Sequence, residues 1–258
     1  GETVFEDDSV RLWHDGDGIG VLSFKSKMNT VGDGVLAGVQ KAIDLAEQQF
    51  QGLVVWQTKE PFSAGADLSG VLTSLQEGRI DDFRAMIAQF QATSQRIKYA
   101  QIPVVAAVRG MALGGGCEFQ MHAARTVFAL ESYIGLVEAG VGLLPAGCGL
   151  KEIAVRAGLN PPNGDVFAGL KPYFEAVAMA KVSGSALEAK ELKLARDSDL
   201  VVFNAYELLH VAKAQARAMA ESSYRAPVAP KAVPVAGSIG IATFKMMLVN
   251  MRDGGFIS

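Results

Sequence analysis

Three short apolar runs, GLVVW (52–56), VVAAV (104–108) and TVFAL (126–130), are set apart by amphipathic or glycine-rich segments. Each run is too short for a buried helix and suits a strand covered on both faces. Strands of that kind need helical layers above and below them, which limits the chain to an α/β core built on a parallel sheet. The intervening segments agree. Val31, Val35, Val39, Ile43 and Ala46 recur at helical spacing as far as Phe50, and Phe83, Met86, Ile87, Phe90 and Ile97 do so again. Gln101-Ile102-Pro103 ends the second helix, because proline offers no N–H and crowds the preceding turn. Ahead of both, VRLWH (10–14) and IGVLSF (19–24) flank Asp15-Gly16-Asp17-Gly18. Asp-Gly supplies the positive φ of a tight turn, so these runs read as a β-hairpin.

The second half reads as mostly helical. Ala154 and Ala157 lie on one helix and residues 164–181 form another, with the PPNG turn (161–164) between them. A short helix covers 186–193, and LVVF (200–203) reads as a last strand. Asn204 is placed to cap a helix reaching about 222, and Ser238 to cap a final helix from Ile239 to Met251. APVAPKAVPVAG (226–237) reads as an extended arm. The expected division is a core over 1–200 and a helical C-terminal region over 201–258.

Several functions are excluded by composition. With 24 Lys+Arg against 27 Asp+Glu the net charge is −3, which does not suit a phosphate backbone, so no nucleic-acid partner is expected. No run of 18 apolar residues exists, so no membrane span is expected. The acidic opening GETVFEDD lacks the apolar segment of a signal peptide, and the two cysteines, Cys117 and Cys148, have no metal-site spacing. A reducing, cytoplasmic setting is the simplest expectation. The start at Gly1 and the stop at GGFIS read as a piece of a longer protein.

Chemistry concentrates in three stretches. Ala112-Leu113-Gly114-Gly115-Gly116-Cys117-Glu118 follows an apolar strand and enters a helix. A helix N-terminus carries free N–H groups and the positive end of the dipole, and glycine lets a ligand approach them. Glu118 lies about one turn beyond Gly115, so a carboxyl group stands beside an anion-binding site. Tight packing of helix on strand would also account for the glycines. Phe62-Ser63-Ala64-Gly65-Ala66-Asp67-Leu68 lies just past another strand, where small residues leave backbone N–H groups uncovered; an ordinary loop with Asp67 as helix cap is the plainer alternative. In the third stretch, 135–147, Glu138 is a lone acid among apolar residues and glycines. Burial there would raise its pKa and suit a general acid.

These stretches resemble those of the crotonase superfamily, the enoyl-CoA hydratases and isomerases. FSAGADL is similar to that family's first oxyanion-loop motif and LGGGCE to its second. The twenty-residue step from Glu118 to Glu138 matches the spacing of its two catalytic glutamates. LLPAGCG and ALEAKEL (186–192) resemble later segments of the family. Ser69 and Gly70 stand where the family often carries a positive residue. The resemblance implies an α/β fold, a crotonase-like spiral of ββα repeats with a helical C-terminal region, assembled as a trimer or hexamer. It implies an oxyanion hole from the N–H groups of Ala66 and Gly115. Glu118 and Glu138 would be catalytic, and Ala64, Leu68, Gly114 and Lys245 would bind substrate. The substrate would be an acyl-CoA thioester, with coenzyme A part of the substrate and no separate cofactor or metal.

The details look most like the hydratase portion of multifunctional fatty-acid oxidation proteins, fused there to a 3-hydroxyacyl-CoA dehydrogenase. No strand-GxGxxG-helix unit for a dinucleotide occurs in this chain. Hydration of a 2-enoyl-CoA in β-oxidation is the expected activity. Isomerisation of a 3-enoyl-CoA, or a non-catalytic acyl-CoA-binding or assembly role, are the alternatives. His122, four residues after Glu118, has no further ligands nearby in sequence, and Cys117 has no activating histidine beside it.

Overall fold

The computed structural model describes residues 1–69 and 77–257, so Gly70 lies outside the described residues. Seven strands form one sheet in chain order: β1 (Glu2–Glu6), β2 (Val10–His14), β3 (Ile19–Phe24), β4 (Gly52–Trp56), β5 (Val104–Leu113), β6 (Arg125–Gly135) and β7 (Leu200–Val202). The first three pair antiparallel and the remainder pair parallel. The expected hairpin is β2–β3, with Gly16 and Gly18 at φ 79° and 80° in its turn. The edge strand β1 was not read from the sequence. ETVFE has only two half-buried apolar residues and no alternation long enough to register.

Eight α-helices are described: α1 (Asp33–Gln49), α2 (Ile80–Lys98), α3 (Gly115–His122), α4 (Gly149–Leu159), α5 (Val166–Ala178), α6 (Ala186–Glu191), α7 (Leu208–Glu221) and α8 (Gly237–Asp253). The two-residue period of the strands sorts their side chains between two helical layers. Leu53, Val55, Val104, Ala106 and Val108 face a core shared with Leu36, Ile43, Ile97 and Phe119 of α1, α2 and α3. Val54, Val105, Ala107 and Val127 face the other way, onto Leu208, Ala212 and Ala216 of α7. Burying one large apolar side chain contributes roughly 1.5–3 kcal/mol. These two clusters therefore hold the sheet between its layers.

Two caps differ from expectation. Asn204 accepts from the Tyr206 N–H at 3.1 Å and caps a single 3-10 turn, after which α7 begins at Leu208. Ser238 does not cap α8: the helix already starts at Gly237, which puts Ser238 inside its first turn. The expected arm is free of helix and strand over 226–236, with Gly237 already in α8, and Val233 and Pro234 press against Gly158 of α4.

The feature that positions the site is a break in β5. Its pairing with β6 shifts register between Val108 and Gly110. Beyond that bulge the strand continues as residues 110–113 against 132–135. There it picks up an isolated bridge, Ser63 to Ala112, while Val31 bridges to Ala66. A bulge re-aims a strand and is common beside functional sites. Here it carries Leu113 and Gly114 to the 63–66 loop.

Asp199 locks the far end of the sheet. Its buried carboxylate accepts the Thr126 N–H at 2.9 Å and the Arg196 N–H at 2.7 Å. Asp199→Ala leaves both donors without acceptors and is expected to destabilise the protein by about 2–4 kcal/mol in urea unfolding.

Candidate active site

Gly114 is the joint of the site. Its φ of 49° and ψ of −120° are open to glycine and closed to residues with a Cβ. Its N–H donates to the Gly135 carbonyl at 2.8 Å, which ties the end of β6 to the start of α3. A Cβ placed on it would stand 3.2 Å from Glu138 Oε1. Its carbonyl accepts the Glu118 N–H at 2.9 Å. Gly114 therefore touches the settings of both glutamates.

The 63–66 loop is laced to this joint by main-chain bonds. The Ser63 N–H donates to Met111 O at 3.0 Å and Leu113 N–H to Ser63 O at 3.1 Å. On its other side, Val31 N–H reaches Gly65 O at 2.8 Å and Asp67 N–H reaches Val31 O at 3.0 Å. That pattern skips the amide of Ala66. Gly115 is the first residue of α3, where N–H groups have no partner within the helix. Among the described residues neither the Ala66 nor the Gly115 N–H has an acceptor. The loops meet closely: a Cβ on Gly65 would lie 3.0 Å from Leu113 O and 3.6 Å from Gly115 N.

Glu118 is 2% exposed. Its Oε1 accepts the Gly149 N–H at 2.7 Å, at the first turn of α4, and the Gly147 N–H supports the same carboxylate. Burial, reinforced by the charge of Glu138, pushes its pKa up to about 8, and the two N–H donors oppose that rise without cancelling it. Glu138 opens a 3-10 turn directly after β6 and is half-buried. Burial also raises its pKa. Its Oε2 is buried and unpartnered among the described residues. The more enclosed acid is thus Glu118, whereas the sequence drew attention to the surroundings of Glu138. Both carboxyl groups are thus pushed toward the protonated form, each chiefly by burial.

Helix α2 sets the loop that grips Glu118. Gln91 Nε2 donates to Ala146 O at 2.9 Å, and Ser94 Oγ donates to Gly147 O at 2.7 Å. The Phe90 ring lies against Gly115 and Gly147, and a Cβ at Gly147 would strike both Phe90 and Glu118. Gly147, Gly149 and Phe90 were not singled out from the sequence. Their link to Glu118 spans some thirty residues, and only the alternation of glycines around Cys148 hinted at it.

The remaining expected residues are accounted for as follows. Ala64 is half-buried, with its N–H on Met28 O at 3.1 Å, and Leu68 is half-buried in the same loop. Lys245 is exposed on α8, which is seated on α5 by Phe244 stacked on Phe174 at 4.2 Å between ring centroids. No hydrogen bond or ion pair joins Lys245 to the two glutamates among the described residues. Cys117 is fully buried and its thiol is pushed upward by that burial, so it is no nucleophile. Among the described residues no three metal-ligating side chains cluster.

Comparison with known proteins agrees with this geometry. The profile of the enoyl-CoA hydratase/isomerase family matches residues 15–163. A relative in Bacillus subtilis named "Probable 3-hydroxyacyl-CoA dehydrogenase" is 39% identical over 246 residues, covering 94% of this chain and 30% of that one. The fatty acid oxidation complex subunit alpha of Psychrobacter cryohalolentis is 28% identical over 136 residues, 53% of this chain and 18% of that one. The chain thus spans less than a third of the length of these relatives. An enoyl-CoA hydratase structure from Bacillus anthracis superposes with a TM-score of 0.64 at 22% identity, over 83% of this chain and 76% of that one. The fold is the crotonase fold.

Two outcomes follow from the site's geometry. Gly114→Ala forces a forbidden backbone and crowds Glu138, so it is expected to destabilise the protein by about 1–3 kcal/mol in urea unfolding. Glu118 links pH to stability. An unfolded carboxyl ionises near 4.5 and the folded one near 8, so the folded state holds more protons across that window and stability falls as pH rises through it. Glu118→Gln removes the penalty. Its Tm is expected to exceed that of the parent at pH 8, by roughly 2–4 °C for each kcal/mol released, with no gain near pH 4.5.

Proposed function

The chain belongs to the enoyl-CoA hydratase/isomerase family, and from that premise we propose that it adds water across the double bond of a 2-enoyl-CoA thioester in fatty-acid β-oxidation. The observation that carries this reading is the pair of raised carboxyl groups, Glu118 and Glu138, with two amides that have no acceptor among the described residues. The thioester carbonyl oxygen accepts from the N–H groups of Ala66 and Gly115. Attack at Cβ moves electron density through Cα to that oxygen, and the two donors meet the enolate charge as it forms. A single donor of this kind contributes about 3–4 kcal/mol to such a transition state. Glu118, in its ionised form and held by Gly147 and Gly149, takes a proton from the attacking water, and Glu138, in its protonated form, delivers one to Cα. The proton left on Glu118 then passes back to Glu138, so the net change is one hydrogen at Cα and one hydroxyl at Cβ, giving a 3-hydroxyacyl-CoA.

Ala64, Leu68 and Gly114 line the approach, and Lys245 is assigned to the coenzyme phosphates. Coenzyme A arrives as part of the substrate, so the chemistry asks for no separate cofactor. Exposed apolar side chains at Val141 and Leu144 beside the site, and at Ile239, Ile241 and Met246 on α8, support assembly into a trimer or hexamer. The multifunctional relatives support fusion to a 3-hydroxyacyl-CoA dehydrogenase. No described helix is long and apolar enough to cross a membrane, and the cytoplasm is the proposed setting.

The test is the loss of 2-enoyl-CoA absorbance with Glu118→Gln and Glu138→Gln. Each change is expected to lower kcat by about 100- to 10,000-fold. Loss from Glu138→Gln alone, with 3-enoyl-CoA as substrate, would indicate isomerisation instead. Binding without turnover in the parent protein would indicate a carrier or assembly role.

A further inference from the structure

A second buried carboxylate stands behind Glu118. Glu152 is 5% exposed and lies one turn into α4, the helix whose Gly149 N–H holds the Glu118 carboxylate. It is surrounded by positive groups from two elements. Lys98 at the end of α2 pairs with its Oε2, Arg156 Nε donates to its Oε1 at 3.1 Å, and Lys151 Nζ lies 3.8 Å away. Burial pushes its carboxyl upward, yet Arg156 and Lys98 bring it down to about 2, so it stays ionised. Arg156, fixed by this contact, also donates to Met121 O on α3 at 2.8 Å.

His122 completes the arrangement from α3. Its Nδ1 lies 2.7 Å from the Glu118 carbonyl oxygen, which can only accept, so Nδ1 carries the hydrogen. Burial lowers the ring's pKa to about 4, which leaves it neutral, with Nε2 buried and 4.0 Å from Glu152 Oε2. Tyr99, Cys148 and Tyr173 also feel the charge of Glu152.

We propose that Glu152 is a positioning residue for Glu118: by fixing the first turn of α4 and, through Arg156, the main chain of α3, it holds the Gly149 N–H on the Glu118 carboxylate. It touches no reacting atom. Its effect on catalysis rests on the hydratase reading, whereas its effect on the Gly149 hydrogen bond does not.

The experiment reads that bond directly. Only one Cys-Gly pair exists in the sequence, Cys148-Gly149. The full chain labelled with carbonyl-13C cysteine and 15N glycine therefore yields a single amide resonance for Gly149. Glu152→Gln is expected to shift this proton upfield and speed its solvent exchange about tenfold or more, with kcat falling about tenfold and KM within about twofold. Glu152→Asp, which keeps the charge, is expected to restore most of both. Asp199→Ala, which loosens the fold away from α4, leaves the resonance in place. If Glu152→Gln does not fold, Lys98→Met takes its place with the same readouts. An unmoved Gly149 resonance, or an equal shift in Asp199→Ala, overturns the proposal. If the parent protein does not hydrate a 2-enoyl-CoA, the functional reading fails while the amide signal still decides the role of Glu152.

Discussion

A carboxylate taken out of water must be met by donors or by cations, or it keeps its proton. Among the described residues Glu118 is met by main-chain N–H groups from the 147–149 turn, and burial prevails over them. The surroundings are built to hold that turn in place. Gln91 and Ser94 of α2 fasten the Ala146 and Gly147 carbonyls, Phe90 packs against Gly147, and α4 begins where the carboxylate lies. Helix dipole and orphan amides favour the anion, and exclusion of water favours the acid. A group placed in this way costs stability as pH rises toward 8, because the folded state holds its proton more tightly than the unfolded chain does.

The same main-chain logic leaves the Ala66 and Gly115 amides without an acceptor among the described residues. A β-bridge satisfies alternate N–H groups along a segment, so the Val31 bridge satisfies Asp67 and passes over Ala66. A helix leaves its first amides free, so Gly115 is unbonded for a separate reason. The bulge at Gly110 brings the two together by turning β5 toward the 63–66 loop. Neither donor depends on a side chain, which is why small residues suffice at both positions.

Much of this was legible in the sequence because it is local. The Asp-Gly hairpin, the short apolar runs of the buried strands and the helical stripes of α1 and α2 are each set within about twenty residues; each formed where its pattern lay except at Val31, which bridges to Ala66 ahead of α1. The glutamate step and the two small-residue loops were legible through family resemblance. Pattern alone left tight packing and simple capping equally open. What was missed is non-local. β1 gains its place from β2, and Ser238 lost the capping position because α8 starts at Gly237, two residues before the expected Ile239. Gly149 meets Glu118 across thirty-one residues, and Lys98 meets Glu152 across fifty-four. No periodicity encodes such meetings.

Glu118 and Glu152 make the governing contrast. Both are carboxylates almost wholly removed from solvent, and both engage α4. Burial pushes each of them upward. One is raised to about 8 and the other falls to about 2, so burial alone does not determine the outcome. The difference is the company of charge: Arg156 and Lys98 face Glu152, while Glu118 faces Glu138. Were those cations placed at Glu118, it would be a fixed anion, unable to exchange a proton near neutrality. Separating the two environments by less than one helical turn lets a single short helix anchor itself with one acid and leave the other free for chemistry.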